Sequence, residues 1–255
     1  MGDNHVVGEG GILDAVARQA RVVRDASNRP RPLPDSDWAL AETRRDMLLA
    51  HWPVALDDLA RLLPPDLPVD TFDGEVWLGL IACRLEGIRA RGLPPLPGLS
   101  SGPQLEVATY VTLDDQPGLW FFSVERPRTL LVEVAKRSHR LPAYKARVSL
   151  ERVDEEIRFE AERDGGLFRA RYGPLGESRP IRPGTLESFL VDRFALYTAD
   201  GGRLYRAELH RSPSRLQQAD AAVEVATIGP VPLQGAPLCL FAAVEDVLVW
   251  PLEEL

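Results

Sequence analysis

Cysteine is scarce in this chain: Cys83 and Cys239 are the only two, each in an apolar run. A disulfide framework or a structural zinc site needs more cysteines at closer spacing, so both read as buried thiols. Histidine is nearly as thin. His5, His51, His139 and His210 stand far apart, and no two are spaced as a close ligand pair. No metal centre and no cofactor is expected. The sequence also lacks G-x-G-x-x-G, a P-loop, H-E-x-x-H and G-x-S-x-G, which removes the common dinucleotide, nucleotide, zinc-hydrolase and serine-hydrolase devices.

Long apolar runs are missing as well. None approaches the ~18 residues of a membrane span, and no apolar stretch of the secretory kind follows Met1. Met1-Gly2 begins like a myristoylation signal, but Val6 stands where Ser or Thr is required. No membrane association and a cytoplasmic location are therefore expected. Basic clusters are absent too. The 30 Lys and Arg are interspersed among 38 Asp and Glu, for a net charge of −8. Phosphate binding rests on gathered Lys and Arg, so no nucleic-acid partner is expected.

What is present is ordinary globular material, 255 residues with 45% hydrophobic and 27% charged. That length can bury a core without metals or disulfides. Ile12, Leu13, Val16, Ala20 and Val23 recur at helical spacing, predicting an amphipathic helix over residues 10–28. A proline-rich linker, NRPRPLPDSD, follows it. The helix is available to its own domain or to a second subunit, which makes a homo-oligomer an open expectation. Residues 1–37 thus form an extension, and residues 38–255 one domain.

Within that domain the patterns predict strands over 48–52, 75–85, 105–113, 118–124, 145–152, 156–163 and 167–172, two more flanking Asp200-Gly201-Gly202, and a last one over 244–250. Short helices are expected over 55–63, 129–137 and 185–192. In the strand at 156–163, Ile157, Phe159 and Ala161 alternate with Arg158, Glu160 and Glu162, the mark of one buried and one solvated face. Strands follow one another as hairpins rather than as βαβ units. The expected class is α+β, rich in β, with an antiparallel barrel or sandwich and helices at its rim.

Seven segments in order carry a resemblance: AHWPVALDDLARLLPPDLPVDTFDGEVWLGL, RGLPPLPGL, LEVATYV, PGLWFFSV, LPAYKARV, TLESFLVDRFALYT and DVLVWPL. Together they resemble the YqjF-like family (DUF2071) over residues 38–255. The resemblance implies the fold of acetoacetate decarboxylase, a cone-like antiparallel β-barrel with an internal pocket. That decarboxylase uses a lysine imine, activated by an adjacent lysine. Its motif places both lysines directly after a proline. Here the stretch reads Pro142-Ala143-Tyr144-Lys145, so Ala143 holds the catalytic position and Lys145 lies two places later.

Glu106 falls where the decarboxylase carries a pocket glutamate. Strand alternation puts Glu106, Ala108 and Tyr110 on one face and Leu105, Val107 and Thr109 on the other. If the first face lines an interior, Glu106 and Tyr110 enter it together, and burial would raise the Glu106 pKa for acid–base work. Lys145 is the other catalytic candidate. His51, Tyr110, Tyr144 and Arg193 are the candidate ligand contacts, with Arg193 suited to a carboxylate. Three functions follow as expectations. The first is a protein holding a small apolar or carboxylic molecule in a barrel pocket, with the imine lysine lost. The second is a lyase or hydratase acting on a small keto acid through Glu106. The third is a partner-binding protein that docks through its N-terminal helix.

Overall fold

A computed structural model describes the backbone of residues 9–255 and the side chains from residue 14 onward. The expectations placed on Met1, Gly2, His5 and Val6, and on the side chains of Ile12 and Leu13, lie outside the described residues. The chain runs α1 (Glu9–Val22), β1 (Leu40–Val54), α2 (Leu56–Ala60), β2 (Val76–Ala90), β3 (Gly102–Leu113) and β4 (Gln116–Arg126). After α3 (Thr129–His139) come β5 (Ala143–Lys145), β6 (Arg147–Val153), β7 (Glu156–Arg163) and β8 (Gly166–Pro180). The last third holds α4 (Leu186–Val191), β9 (Ala195–Asp200), β10 (Arg203–Arg211), β11 (Arg215–Ala226), β12 (Leu238–Val249) and β13 (Glu253–Glu254). No described helix is long and apolar enough to cross a membrane.

The sheet closes on itself. β1 pairs with β2, β2 with β3, β3 with β4, β4 with β9, β9 with β10, and β12 joins both β10 and β1. The result is a ring of strands. Two of its contacts depart from the antiparallel expectation: β4 runs parallel to β9, through Leu119↔Leu196 and Trp120↔Tyr197, and parallel to the short β5. Parallel neighbours need a long crossover, and the excursion through α3, β5–β8 and α4 supplies it for β4 and β9.

Beyond β12 the sheet continues through β11, β8, β7 and β6. This flap folds over the outside of the ring. Ile157, Phe159, Ala161, Phe168 and Tyr172 meet Leu48, Leu78, Leu80 and Val107 in one buried cluster. The alternation at 156–163 therefore faces the ring on one side and water on the other, as the pattern predicts.

β1 is far longer than the predicted 48–52, and a bulge explains why. Asp46 sits at φ 52°, the pairing to β2 slips between Arg45 and Leu48, and the Tyr172 hydroxyl donates to the Asp46 carbonyl at 2.7 Å. One extra residue inverts the alternation. Leu40, Glu42 and Arg44 point inward before it, and Met47, Leu49 and His51 after it. β11 was missing from the expected strands altogether. Its face toward the flap core is Ala219, Ala221 and Val223, whose small side chains give a faint period-two signal.

α3 and α4 cap the ring, with Leu131, Val132, Leu190 and Val191 in its interior cluster. Thr185 caps α4 by accepting from the Ser188 amide at 3.3 Å. α1 lies on the outer face of β1, β2 and β12. Buried Gln19 donates to Thr43 Oγ1 and to the Gly87 carbonyl, both at 3.2 Å. Gly87 has φ +61°, and a Cβ there would reach the Cβ of Ala15 at 3.4 Å, so glycine lets the helix approach the strand.

Candidate functional site

The ring's interior holds charge where a packed core would hold only hydrocarbon. Glu106 on β3 is 4% exposed. Arg44 on β1 grips its carboxylate with both terminal nitrogens, at 2.9 and 3.1 Å, while Arg44 Nε donates to Glu42 at 2.8 Å. Gln104 donates to Glu106 at 2.6 Å, accepts from Arg126 Nε, and Arg126 also donates to the Leu131 carbonyl at 2.8 Å. The relay runs from Glu42 to the first turns of α3. It is held by strand parity: Glu42 and Arg44 before the bulge, and Gln104 and Glu106 on β3, all point the same way.

The two carboxyls of this relay are driven apart. Burial raises the Glu106 pKa, and Arg44 only partly opposes it because Arg44 is shared with Glu42. For Glu42, burial also pushes upward, but Arg44 and Arg126 together overrule it and the pKa falls. Neighbouring acids with opposed shifts divide the roles of proton holder and fixed charge.

A second group lies near the first. Arg211, at the end of β10, is 5% exposed; its Nη1 donates to the Val191 carbonyl at 3.1 Å and approaches Glu245 Oε1 at 3.4 Å. Ser214 also donates to Glu245 Oε1, at 2.9 Å. Arg211 Nε and Nη2 are buried without a hydrogen-bond partner, and so is Glu245 Oε2. The Arg211 charge lowers the pKa of both Glu106 and Tyr110, against the burial that raises each.

His51, Tyr110 and Arg193 form a third group. The Arg193 guanidinium lies over the Phe189 ring at 4.1 Å and the Tyr110 ring at 5.0 Å, and pairs with Asp70, while its Nη2 has no partner. The His51 ring is 6.1 Å from the Tyr110 ring and fully buried, and neither nitrogen forms a sound hydrogen bond. Burial pushes its pKa down to about 3, so the imidazole is neutral near pH 7. Gly79 makes room for it: a Cβ there would sit 3.1 Å from His51 Nε2.

Four of the six expected side chains, Glu106, Tyr110, His51 and Arg193, thus share the interior. Lys145 and Tyr144 do not. They follow Ala143, which is fully buried in the ring cluster, and the chain turns both outward. Tyr144 stacks under Arg163 at 4.1 Å on the outer surface. The chain has two lysines, Lys136 and Lys145, and both are exposed. No lysine amine therefore reaches the interior. Arg44, Arg126, Arg211 and Glu245 were not among the expected residues. For Arg211 a signal existed, since it extends the inward face begun by Ala207 and Leu209; for Arg44 the bulge hid it. Among the described residues, no three His, Cys, Asp or Glu side chains gather as a metal centre would.

A cavity of about 570 Å³ lies at the margin of the ring, between β11 and residues 233–240.

The DUF2071 family, described as an uncharacterized conserved protein, matches residues 41–243. The chain belongs to this family. Among relatives of this DUF2071 protein is the uncharacterized protein YqjF of Bacillus subtilis, 34% identical over 229 residues, covering 87% of this chain and 95% of the relative. Among solved structures, acetoacetate decarboxylase from Legionella pneumophila superposes with TM-score 0.65 at 11% identity, covering 100% of this chain and 98% of its own. The enduracididine biosynthesis enzyme MppR, complexed with pyruvate, gives TM-score 0.60 at 11% identity, with 90% and 94% covered. The DUF2071 chain shares their fold, as the sequence resemblance implied.

Proposed function

We propose that this protein holds a small carboxylic acid non-covalently inside its strand ring, with Arg211 as the carboxylate anchor. The observation that carries this reading is the Nε–Nη2 edge of Arg211, buried and unpartnered. That edge presents two parallel N–H donors, the geometry a carboxylate accepts. Leaving such donors buried and unused costs about 1–3 kcal/mol each, a cost that a bound carboxylate removes. Arg193 Nη2 is a further free donor. MppR, with its bound pyruvate, supplies a precedent for a small acid in this fold.

Imine chemistry is not part of the proposal, because Ala143 occupies the lysine position and both lysines face outward. A second reading, proton transfer on the bound acid as in a lyase or hydratase, is favoured by Glu106, whose carboxyl is buried and whose pKa that burial raises. The helix α1 then serves to cover the outer face of the ring, since Gln19 and Val22 are buried against the domain. The two unpaired cysteines suit a reducing cytoplasm.

Thermal unfolding in the presence of pyruvate, acetoacetate, butanoate and benzoate tests this reading. An acid at about one hundred times its Kd should add about 2.7 kcal/mol of stability. The shift should vanish in Arg211→Gln. No shift with any acid, or an equal shift in the variant, would reject the anchor.

A further inference from the structure

β11 loses one of its neighbours partway along. It pairs with β12 only at Gln217↔Phe241 and Gln218↔Leu240, while on its other edge it stays with β8 as far as Ala226↔Phe168. Residues 227–237 then loop away before β12 begins at Leu238. The gap forms a seam between β11 and residues 233–240, and the cavity of about 570 Å³ lies in it.

The register shows which groups face the seam. Ala219 pairs with Pro174, which has no N–H, so that pair is of the non-hydrogen-bonded kind. The register to β8 is unbroken from Gln218 to Val223. The two kinds of pair alternate along an antiparallel ladder, so Ala219, Ala221 and Val223 turn their N–H and C=O groups away from β8 and into the seam. Among the described residues, no backbone group of the 227–237 loop bonds to them.

An open ladder edge is a template for another strand, and proteins blunt such edges with charge, proline or brevity. The two ends of this sheet follow that rule: β13 has two residues, and β6 carries Arg147, Glu151 and Arg152. The β11 edge does not. From Ala219 to Val223 it has no proline and no lysine, and its one charge is Asp220.

We propose that the seam binds an extended peptide, which adds to the free edge of β11 as a further strand. In this mode main-chain bonds supply affinity and alternate side chains supply selectivity. One face of β11 is Ala219, Ala221 and Val223, half-buried with Leu233 and Cys239 against the flap core. Small residues there leave room for apolar side chains on an added strand. The other face is exposed and acidic. Glu224 pairs with Arg171 at 2.7 Å, and Asp220 has no ion-pair partner among the described residues. The peptide therefore alternates apolar residues, facing in, with Lys or Arg, facing out. A second copy of this chain fits poorly. Pairing β11 with itself would set the Asp220 and Glu224 side chains of the two chains beside each other, and like charges across a strand pair repel.

Calorimetric titration of the full chain with acetyl-Lys-Val-Lys-Val-Lys-Val-amide tests the proposal. Two control peptides carry N-methyl groups, one on every valine nitrogen and the other on every lysine nitrogen. In an extended chain these two sets of N–H groups point to opposite edges. One control should therefore lose about tenfold or more in affinity, and the other should bind as the parent does. Glutamate in place of lysine should also weaken binding. On the protein side, Ala221→Pro removes a seam-facing N–H and no bond to β8, so it should weaken the parent peptide. Ala221→Gly keeps that N–H and should not. The methylated peptides need no substitution, so they decide the matter even where proline disturbs folding. No binding of the parent peptide, or equal binding of the parent and both methylated controls, would overturn the proposal.

Discussion

Arg44 holds both carboxylate oxygens of Glu106, at 2.9 and 3.1 Å, in an interior where each residue is less than a tenth exposed. Such a pair adds little net stability compared with hydrocarbon of the same shape, but removing one partner strands the other. Arg44→Met should therefore destabilise the protein by about 3–5 kcal/mol, because it leaves Glu106 and Glu42 facing each other without the cation between them. Arg44→Met combined with Glu106→Leu should regain part of that loss. Urea unfolding of the single and double variants checks this; a double variant weaker than the single would argue against the pairing.

His51 sets an acid limit on stability. Its folded pKa of about 3 lies below the ordinary value of 6.5, so the folded state prefers the neutral ring. The associated stability is complete above 6.5 and is lost as pH falls toward 3, at about 1.4 kcal/mol per pH unit for this group. In His51→Gln that part of the slope should disappear. Unfolding free energies measured across this window should show a shallower acid limb for the variant, and identical limbs would exclude His51 as the source.

Binding of the acid should be linked to a proton. Burial raises the Glu106 pKa and the Arg211 charge opposes that rise, so a ligand carboxylate that neutralises Arg211 raises it further. Glu106 should then take up a proton on binding, and affinity should weaken as pH rises through its raised pKa. Calorimetry in two buffers of different ionisation enthalpy reads the proton directly. The uptake should be absent in Glu106→Gln.

The two lysines should be dispensable. Lys136 and Lys145 lie on the outer surface, so borohydride added with pyruvate or acetoacetate should leave the protein mass unchanged. Replacing both by arginine should not alter binding. A trapped adduct on either lysine would reinstate imine chemistry.

Much of this site could be read in the sequence, and its omissions have physical causes. Period-two alternation in β3 is uninterrupted, so Glu106 and Tyr110 could be put on one face, and the structure turns that face inward. In β5 three residues are too few for a pattern, and which of Ala143 and Lys145 faces in was carried only by the position of Pro142. The Asp46 bulge reverses alternation partway along β1, so no single period connects Arg44 to His51. β11 and the seam it forms were illegible because Ala219 and Ala221 are small, and because a gap between diverging strands leaves no mark on either strand's own sequence. Charged residues on long strands read as solvent-facing by default, which masks the inward period of Ala207, Leu209 and Arg211; for Glu245 only closure of the ring, a long-range property, turns it inside.

The central claim is that the Arg211 fork reads a carboxylate. Calorimetric titration of wild type and Arg211→Lys with the same acid tests it most directly, because lysine keeps the charge but loses the paired donors. The account predicts at least about a tenfold loss of affinity, the equivalent of roughly 1.4 kcal/mol, with the fold intact by circular dichroism. Equal affinity in the two proteins would contradict it.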